Sequence, residues 1–209
     1  IVSLPREFLP LWVINKSLYR NQAKSFLHKR GITDVDIKKY KVGFCDSGLY
    51  EGRIIIPSYD DKGLLNYFVG RSFVGEKMKY KNPNVSRDIV PFDWYVAWSK
   101  PIVLCEGVFD AMSIRSNAIP MLSKKPSKSL LRKIFEKNVK TIYIALDDDA
   151  KKDAYNMSEF FRDFGIDCKV VKLPTDKDPN DLGWEKITSL IHTTESASFS
   201  DSIQAKLYG

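Results

Sequence analysis

The chain has 209 residues, 44% hydrophobic and 28% charged, with a formal net charge of +7. That length buries a real core and accommodates two modest domains. No apolar run approaches a bilayer span and no basic-then-apolar leader precedes a small-residue cleavage site, so a soluble, cytoplasmic protein without membrane partners is expected.

Residues 1–15 carry Pro5 and Pro10 among apolar side chains (Leu4, Phe8, Leu9, Trp12), which predicts an extended arm on the core. A helix fits Leu18 to Arg30, with Leu18, Ala23, Phe26 and Leu27 along one side and Gly31 closing it. Thr33 is placed to cap a second short helix, with Asp34 and Asp36 near its positive end. Arg53–Pro57 and Leu64–Phe73 read as antiparallel strands joined by the turn residues Asp60-Asp61-Lys62-Gly63. Residues 75–93 are polar, basic and irregular, so an exposed loop is expected, and Phe92, Trp94, Tyr95 and Trp98 are expected to pack the join that follows.

From Lys100 the pattern becomes regular. Strands fit 101–105, 118–122, 140–146 and 168–173, and helices fit 108–116, 127–138, 151–164 and 183–192. Short β-branched runs alternating with helices predict a parallel sheet covered on both faces. The fold class is therefore α/β: a mixed α+β basic subdomain over 1–98, a Rossmann-like parallel-sheet subdomain over 99–193, and a tail or truncated segment over 194–209. Residues 1–98 hold 16 Lys and Arg against 10 Asp and Glu, whereas 99–209 hold 17 against 16. A basic front half joined to an acidic cleft suits a polyanion held at a metal centre. The chain opens on Ile1 rather than Met, as expected of a piece of a longer protein.

The acids stand where strands end. Glu106-Gly107 follows Ile102–Cys105, with Asp110 on the first turn of the next helix, and Asp147-Asp148-Asp149 follows Thr141–Leu146. Lys177-Asp178-Pro179-Asn180-Asp181 follows Val170–Leu173. Parallel strands joined by right-handed crossovers bring their carboxyl ends to one edge, where open α/β sheets bind ligands. Carboxylates gathered there repel unless cations neutralise them. Period-two spacing predicts Asp147 and Asp149 on one side of an extended segment, with Asp148 facing away. An oxygen-only donor set favours Mg²⁺ or Mn²⁺. Cys45, Cys105 and Cys168 are widely spaced, and with His28 and His192 they make no structural zinc site, so no zinc is expected. Taken singly, an acidic motif reads better as structure, Asp147-Asp148-Asp149 as a solvated turn and Glu106 as a helix N-terminal acid; the three in this order favour a site.

Residues 100–183 resemble a Toprim domain, shared by bacterial-type primases, topoisomerases and some nucleases. Glu106, Asp147 and Asp149 match that pattern residue for residue. Glu-Gly-Val-Phe-Asp at 106–110 is similar to the Glu-Gly-x-x-Asp of primases, as is Leu173-Pro174 followed by Lys177-Asp178-Pro179. The chain departs at Asn180, where primases commonly carry a second Asp. In the front half, 23–43, Gly52–Pro57, Gly70-Arg71 and Lys79-Tyr80-Lys81-Asn82 follow the primase polymerase core in order, with Lys81 replacing a usually apolar residue. The overall resemblance is to the catalytic core of DnaG-type primases, phage-encoded versions in particular.

That resemblance implies a DNA-directed RNA polymerase of primase type, a nucleotidyltransferase of DNA replication that makes RNA primers on single-stranded DNA from NTPs. Glu106, Asp147 and Asp149 would be catalytic, and together with Asp178 would hold Mg²⁺ or Mn²⁺. Arg53, Arg71, Lys79, Lys81, Asn82 and Asp110 would bind nucleotide or template. A replicative helicase and a separate zinc-binding module are implied as partners. Two alternatives stay open: a Toprim-type nuclease using the same metal site, and a non-catalytic nucleic-acid binding module.

Overall fold

A computed structural model describes residues 2–194; the expected tail beyond Thr194 lies outside the described residues. The chain forms two compact units, residues 1–87 and 88–209. Counted over those units, the first holds 16 basic against 8 acidic residues, a balance of +8, and the second 17 against 18, a balance of −1.

The first unit is built on a four-stranded antiparallel sheet in the order β1-β2-β3-β4: β1 (Phe8–Pro10), β2 (Gly43–Cys45), β3 (Arg53–Tyr59) and β4 (Leu65–Ser72). The predicted arm thus contains an edge strand, and β2 is an element the sequence pattern did not reveal. Helix α1 (Tyr19–Lys29) ends in a Schellman motif. The Ile32 N–H reaches the Leu27 carbonyl at 3.1 Å, the Gly31 N–H reaches His28 at 2.9 Å, and Gly31 takes φ +71°. Thr33 caps α2 (Asp34–Lys39) in a reciprocal box, its Oγ1 accepting from the Asp36 N–H while the Asp36 carboxylate accepts from the Thr33 N–H. Between β3 and β4, Asp60 Oδ1 accepts from the Lys62 and Leu64 amides, the local bonding expected of an Asp-led turn.

The second unit is a parallel sheet in the order β6-β5-β7-β8: β5 (Ile102–Cys105), β6 (Ala118–Pro120), β7 (Thr141–Ala145) and β8 (Asp167–Val170). Helices α3 (Val108–Ile114), α4 (Lys128–Glu136) and α5 (Lys151–Asp163) make the crossovers. The apolar faces of α4 and α5 close one core with the strands, through Ile102, Leu104, Ile142 and Ile144 against Leu130, Ile134, Ala154 and Phe161. Every residue of β5 is buried, which explains its unbroken apolar sequence.

Three expectations are corrected here. The last helix, α6 (Pro179–Thr193), begins four residues before the expected 183, because Asp178 caps it and Pro179 opens it; Gly183, at φ 72° and ψ 169°, interrupts it. The strand expected over 168–173 ends at Val170. Of the aromatics expected to pack a join, Phe92 is buried and Trp98 packs on the parallel-sheet core, but Trp94 is 51% exposed. Among the described residues, no helix is long and apolar enough to cross a membrane.

Candidate metal centre

Strands β5 and β7 are neighbours, with Cys105 opposite Ala145. From β5 the chain crosses to β6 on one side, and from β7 to β8 on the other. This is a topological switch point, the place where an open α/β sheet parts to leave a crevice. Glu106 is the first residue beyond β5, and Asp147 the second beyond β7. Glu106, Asp147 and Asp149 each offer a carboxylate oxygen, all three within 4.8 Å of one another.

The reason for this convergence differs from the one the sequence suggested. Asp148–Ala150 is a turn of 3₁₀ helix rather than an extended segment, so period-two alternation does not apply. Asp148 is paired with Lys151 and lines the same hollow as its neighbours. That hollow, about 270 Å³, is walled by Asp147, Asp148, Asp149, Asp176, Lys177, Asp178 and Asp181.

The electrostatics are those of an unneutralised site. Burial, and then the charge of Asp147, push Glu106 up to about 7. Asp147 is raised as well, by burial first and then by Asp178 and Asp149. Glu106 Oε1 and Asp147 Oδ1 are buried with no hydrogen-bond donor among the described residues. Three carboxylate oxygens gathered so closely, with Glu106 and Asp147 short of donors and raised first by burial and then by neighbouring charge, fit a hard divalent cation. Lys124 supplies a counter-charge to the cluster, its Nζ lying 2.8 Å from Asp149 Oδ2. Sequence reasoning passed over Lys124, although Ser123-Lys124-Lys125-Pro126 follows a strand on the same edge of the sheet. The thiols take no part: Cys45, Cys105 and Cys168 are all buried, and burial pushes Cys45 and Cys168 up to about 12.

Asp178 and Asp110 flank the centre in different ways. Asp178 caps α6, its Oδ1 accepting from the Asp181 N–H at 2.6 Å. Asp110 is buried, and its Oδ2 accepts from the Gly107 N–H at 2.9 Å, which fixes the turn that carries Glu106. Burial, then the charges of Asp178 and Asp147, push Asp110 up to about 8.

The remaining named residues belong to the first unit, where the basic loop is laid along β4. Ser72 N–H donates to the Lys79 carbonyl, Lys81 N–H to Gly70, and Gly70 N–H to Asn82 Oδ1. The approach is so close that a Cβ on Gly70 would lie 2.3 Å from the Lys81 carbonyl oxygen. Arg71 and Tyr80 face each other across this pairing, with the guanidinium 4.7 Å from the ring centroid. Arg53 is 3% exposed, and its guanidinium holds the Met78 and Lys79 carbonyls and the Glu76 carboxylate. Lys81 reaches the Leu49 carbonyl at 2.9 Å, while Lys79 is exposed.

Comparison with known proteins follows the same division. Residues 103–183 match the Toprim-like family. The DnaG primase catalytic domain bound to ssDNA superposes with a TM-score of 0.72 at 16% identity, over 87% of this chain and 76% of that one. Residues 103–183 are thus a Toprim-like domain, in a chain whose fold is that of the DnaG primase catalytic domain. The RNA polymerase domain of Mycobacterium tuberculosis primase DnaG, in complex with double-stranded DNA, gives a TM-score of 0.74 at 15% identity, over 91% of this chain and 78% of that one. At such identities the structural likeness speaks for the fold. DNA primases of Clostridium acetobutylicum and Thermotoga maritima are each 24% identical over 77% of this chain, which covers 30% and 37% of their lengths. The chain therefore spans about a third of the curated relatives it matches.

Proposed function

We propose that this chain is the catalytic core of a DNA primase, which joins ribonucleotides into short RNA primers on single-stranded DNA. The observation that carries the reading is the meeting of Glu106, Asp147 and Asp149 at the β5/β7 switch point of a DnaG-type core. Relatives named DNA primases, and a similar catalytic domain bound to ssDNA, support the substrate class.

The reaction is a nucleotidyl transfer: the primer's 3′-hydroxyl attacks the α-phosphorus of a nucleoside triphosphate, the bond to the β-phosphate oxygen breaks, and pyrophosphate leaves. Glu106, Asp147 and Asp149, with Asp178 lining the hollow beside the two aspartates, would hold Mg²⁺ or Mn²⁺. A divalent ion bound there neutralises phosphate charge and favours displacement at phosphorus. The chain's own residues set the stage for it. The Gly107–Asp110 bond keeps the Glu106 turn in place, and half-burial of Glu106 and Asp147 weakens solvent screening around their charges. Lys124 stabilises the ionised carboxylates and offers a cation to a triphosphate. On the basic unit, exposed Lys79 contributes charge, and the Arg71–Tyr80 stack offers a guanidinium and a π-face to phosphate and base. Arg53 acts through structure, because its guanidinium is already committed to the loop that presents Lys79.

The test is incorporation of labelled ribonucleotides on single-stranded DNA, with divalent metal present or omitted. Metal-dependent primers that vanish in Asp147→Asn, in a variant that keeps its melting temperature, are the expected result. Degradation of labelled DNA without added nucleotides, and no primers, would replace this reading with a nuclease.

A further inference from the structure

Asn180 stands where the resemblance leads one to look for an acid, and its surroundings give it another task. It is 9% exposed, and its Nδ2 donates to Ser113 Oγ on α3 at 2.7 Å. Ser113 is itself 4% exposed, so this bond is made away from solvent, where an amide left without its acceptor is costly. The backbone N–H of Asn180 donates to the Asp110 carboxyl, the same group that holds the Gly107 N–H. One residue thus ties the first turn of α6 to α3 through two bonds, and α6 packs along α3 beyond them.

What this fixes is the neighbour two positions back. Asp178 caps α6 and lines the acidic hollow, and its charge reaches both Asp147 and Asp110. Glu106 is held from the other end of the same assembly, through Gly107 and Asp110. A side chain that donates into Ser113 has its polar end turned to α3, not to the hollow. An amide also serves this position without adding a further negative charge beside Asp110, Asp178 and Asp147.

We infer that Asn180 is a positioning residue of the metal centre: by bonding Ser113 and Asp110 it holds Asp178 at the hollow that Asp147 and Asp149 also line. This rests on the metal-dependent primase reading, yet it is testable apart from it, because cation binding is measured without primer synthesis. Outer partners of this kind typically change metal affinity by 10- to 100-fold when removed.

The experiment titrates Mn²⁺ into the full chain and follows free Mn²⁺ by electron paramagnetic resonance. The variants are Ser113→Ala, Asn180→Ala and the two combined. Ser113→Ala places the best helix former in α3, so the fold is retained while the acceptor is lost. Each single change is expected to weaken Mn²⁺ binding about tenfold, and the double no further than about tenfold, since both remove one shared bond. In primer synthesis the metal midpoint rises by the same factor while the rate at saturating metal persists. Unchanged Mn²⁺ affinity in all three, with only a lower melting temperature, overturns the inference and leaves a structural bond. A wild-type chain that binds Mn²⁺ tightly but makes no primers removes the primase reading and leaves this one standing.

Discussion

Glu106 makes the metal-free protein pay for its site, and Glu106→Gln measures how much. The carboxyl has been pushed from its ordinary 4.5 up to about 7, chiefly by burial and by Asp147. The unfolded chain releases this proton near pH 4.5 and the folded chain near 7, so between those values the folded form binds the extra proton. Stability from this group is therefore complete below about pH 4.5 and is lost as pH climbs through about 7. Carried in full, the displacement is worth about 3 kcal/mol. Because the side chain is only half-buried, solvent screening reduces that to about 1.5 kcal/mol. Urea unfolding without divalent metal should show wild type and Glu106→Gln equally stable at pH 5. At pH 8 the variant should be the more stable by about 1.5 kcal/mol. Saturating Mg²⁺ should reverse the order at pH 8, since only wild type keeps the full set of ligands. Parallel stability curves for the two proteins from pH 5 to 8 would refute the reasoning, because they would mean that Glu106 is not strained by its neighbours.

Other outcomes follow from the same geometry. Metal binding must displace the Glu106 proton, so Mn²⁺ affinity at fixed ionic strength should fall as pH drops below about 7, by up to about tenfold per pH unit. Lys124→Met removes the ammonium that pairs with Asp149; Mn²⁺ titration should show tighter binding, and tighter NTP binding in the same variant would count against Lys124 as a phosphate contact. Arg53→Ala should destabilise the first unit by about 2–3 kcal/mol in urea unfolding, since two loop carbonyls and Glu76 lose a buried charged partner. Lys79→Ala should instead leave stability unchanged and reduce the salt-dependence slope of single-stranded DNA binding by about one contact.

The parallel half was legible because its two central strands are short, β-branched and apolar runs, Ile102–Cys105 buried throughout and Thr141–Ala145 buried at three of five positions, and each stops just before the acids begin. That punctuation alone places Glu106 and Asp147 at one edge of the sheet. It did not reveal that Asp148–Ala150 would coil into a 3₁₀ turn, for which three consecutive aspartates give no signal. Strands β1 and β2 escaped notice because each has three residues and exists only through pairing, with the Phe8 ring packed where a side chain on Gly43 would stand. Arg53 looked like a phosphate ligand at a strand end; only the fold shows Glu76 and the Met78 carbonyl returning to occupy it. Asn180 is the sharpest case. A departure from a motif reads as a loss in one dimension, and its bond to Ser113, 67 residues away in sequence, exists only once α6 lies on α3.

The most direct measurement is a crystal structure grown or soaked with Mn²⁺, read by anomalous diffraction. The account predicts a manganese peak coordinated by Glu106, Asp147 and Asp149 beyond the ends of β5 and β7. Ordered manganese elsewhere, with those three carboxylates bound only to water or to Lys124, would contradict it.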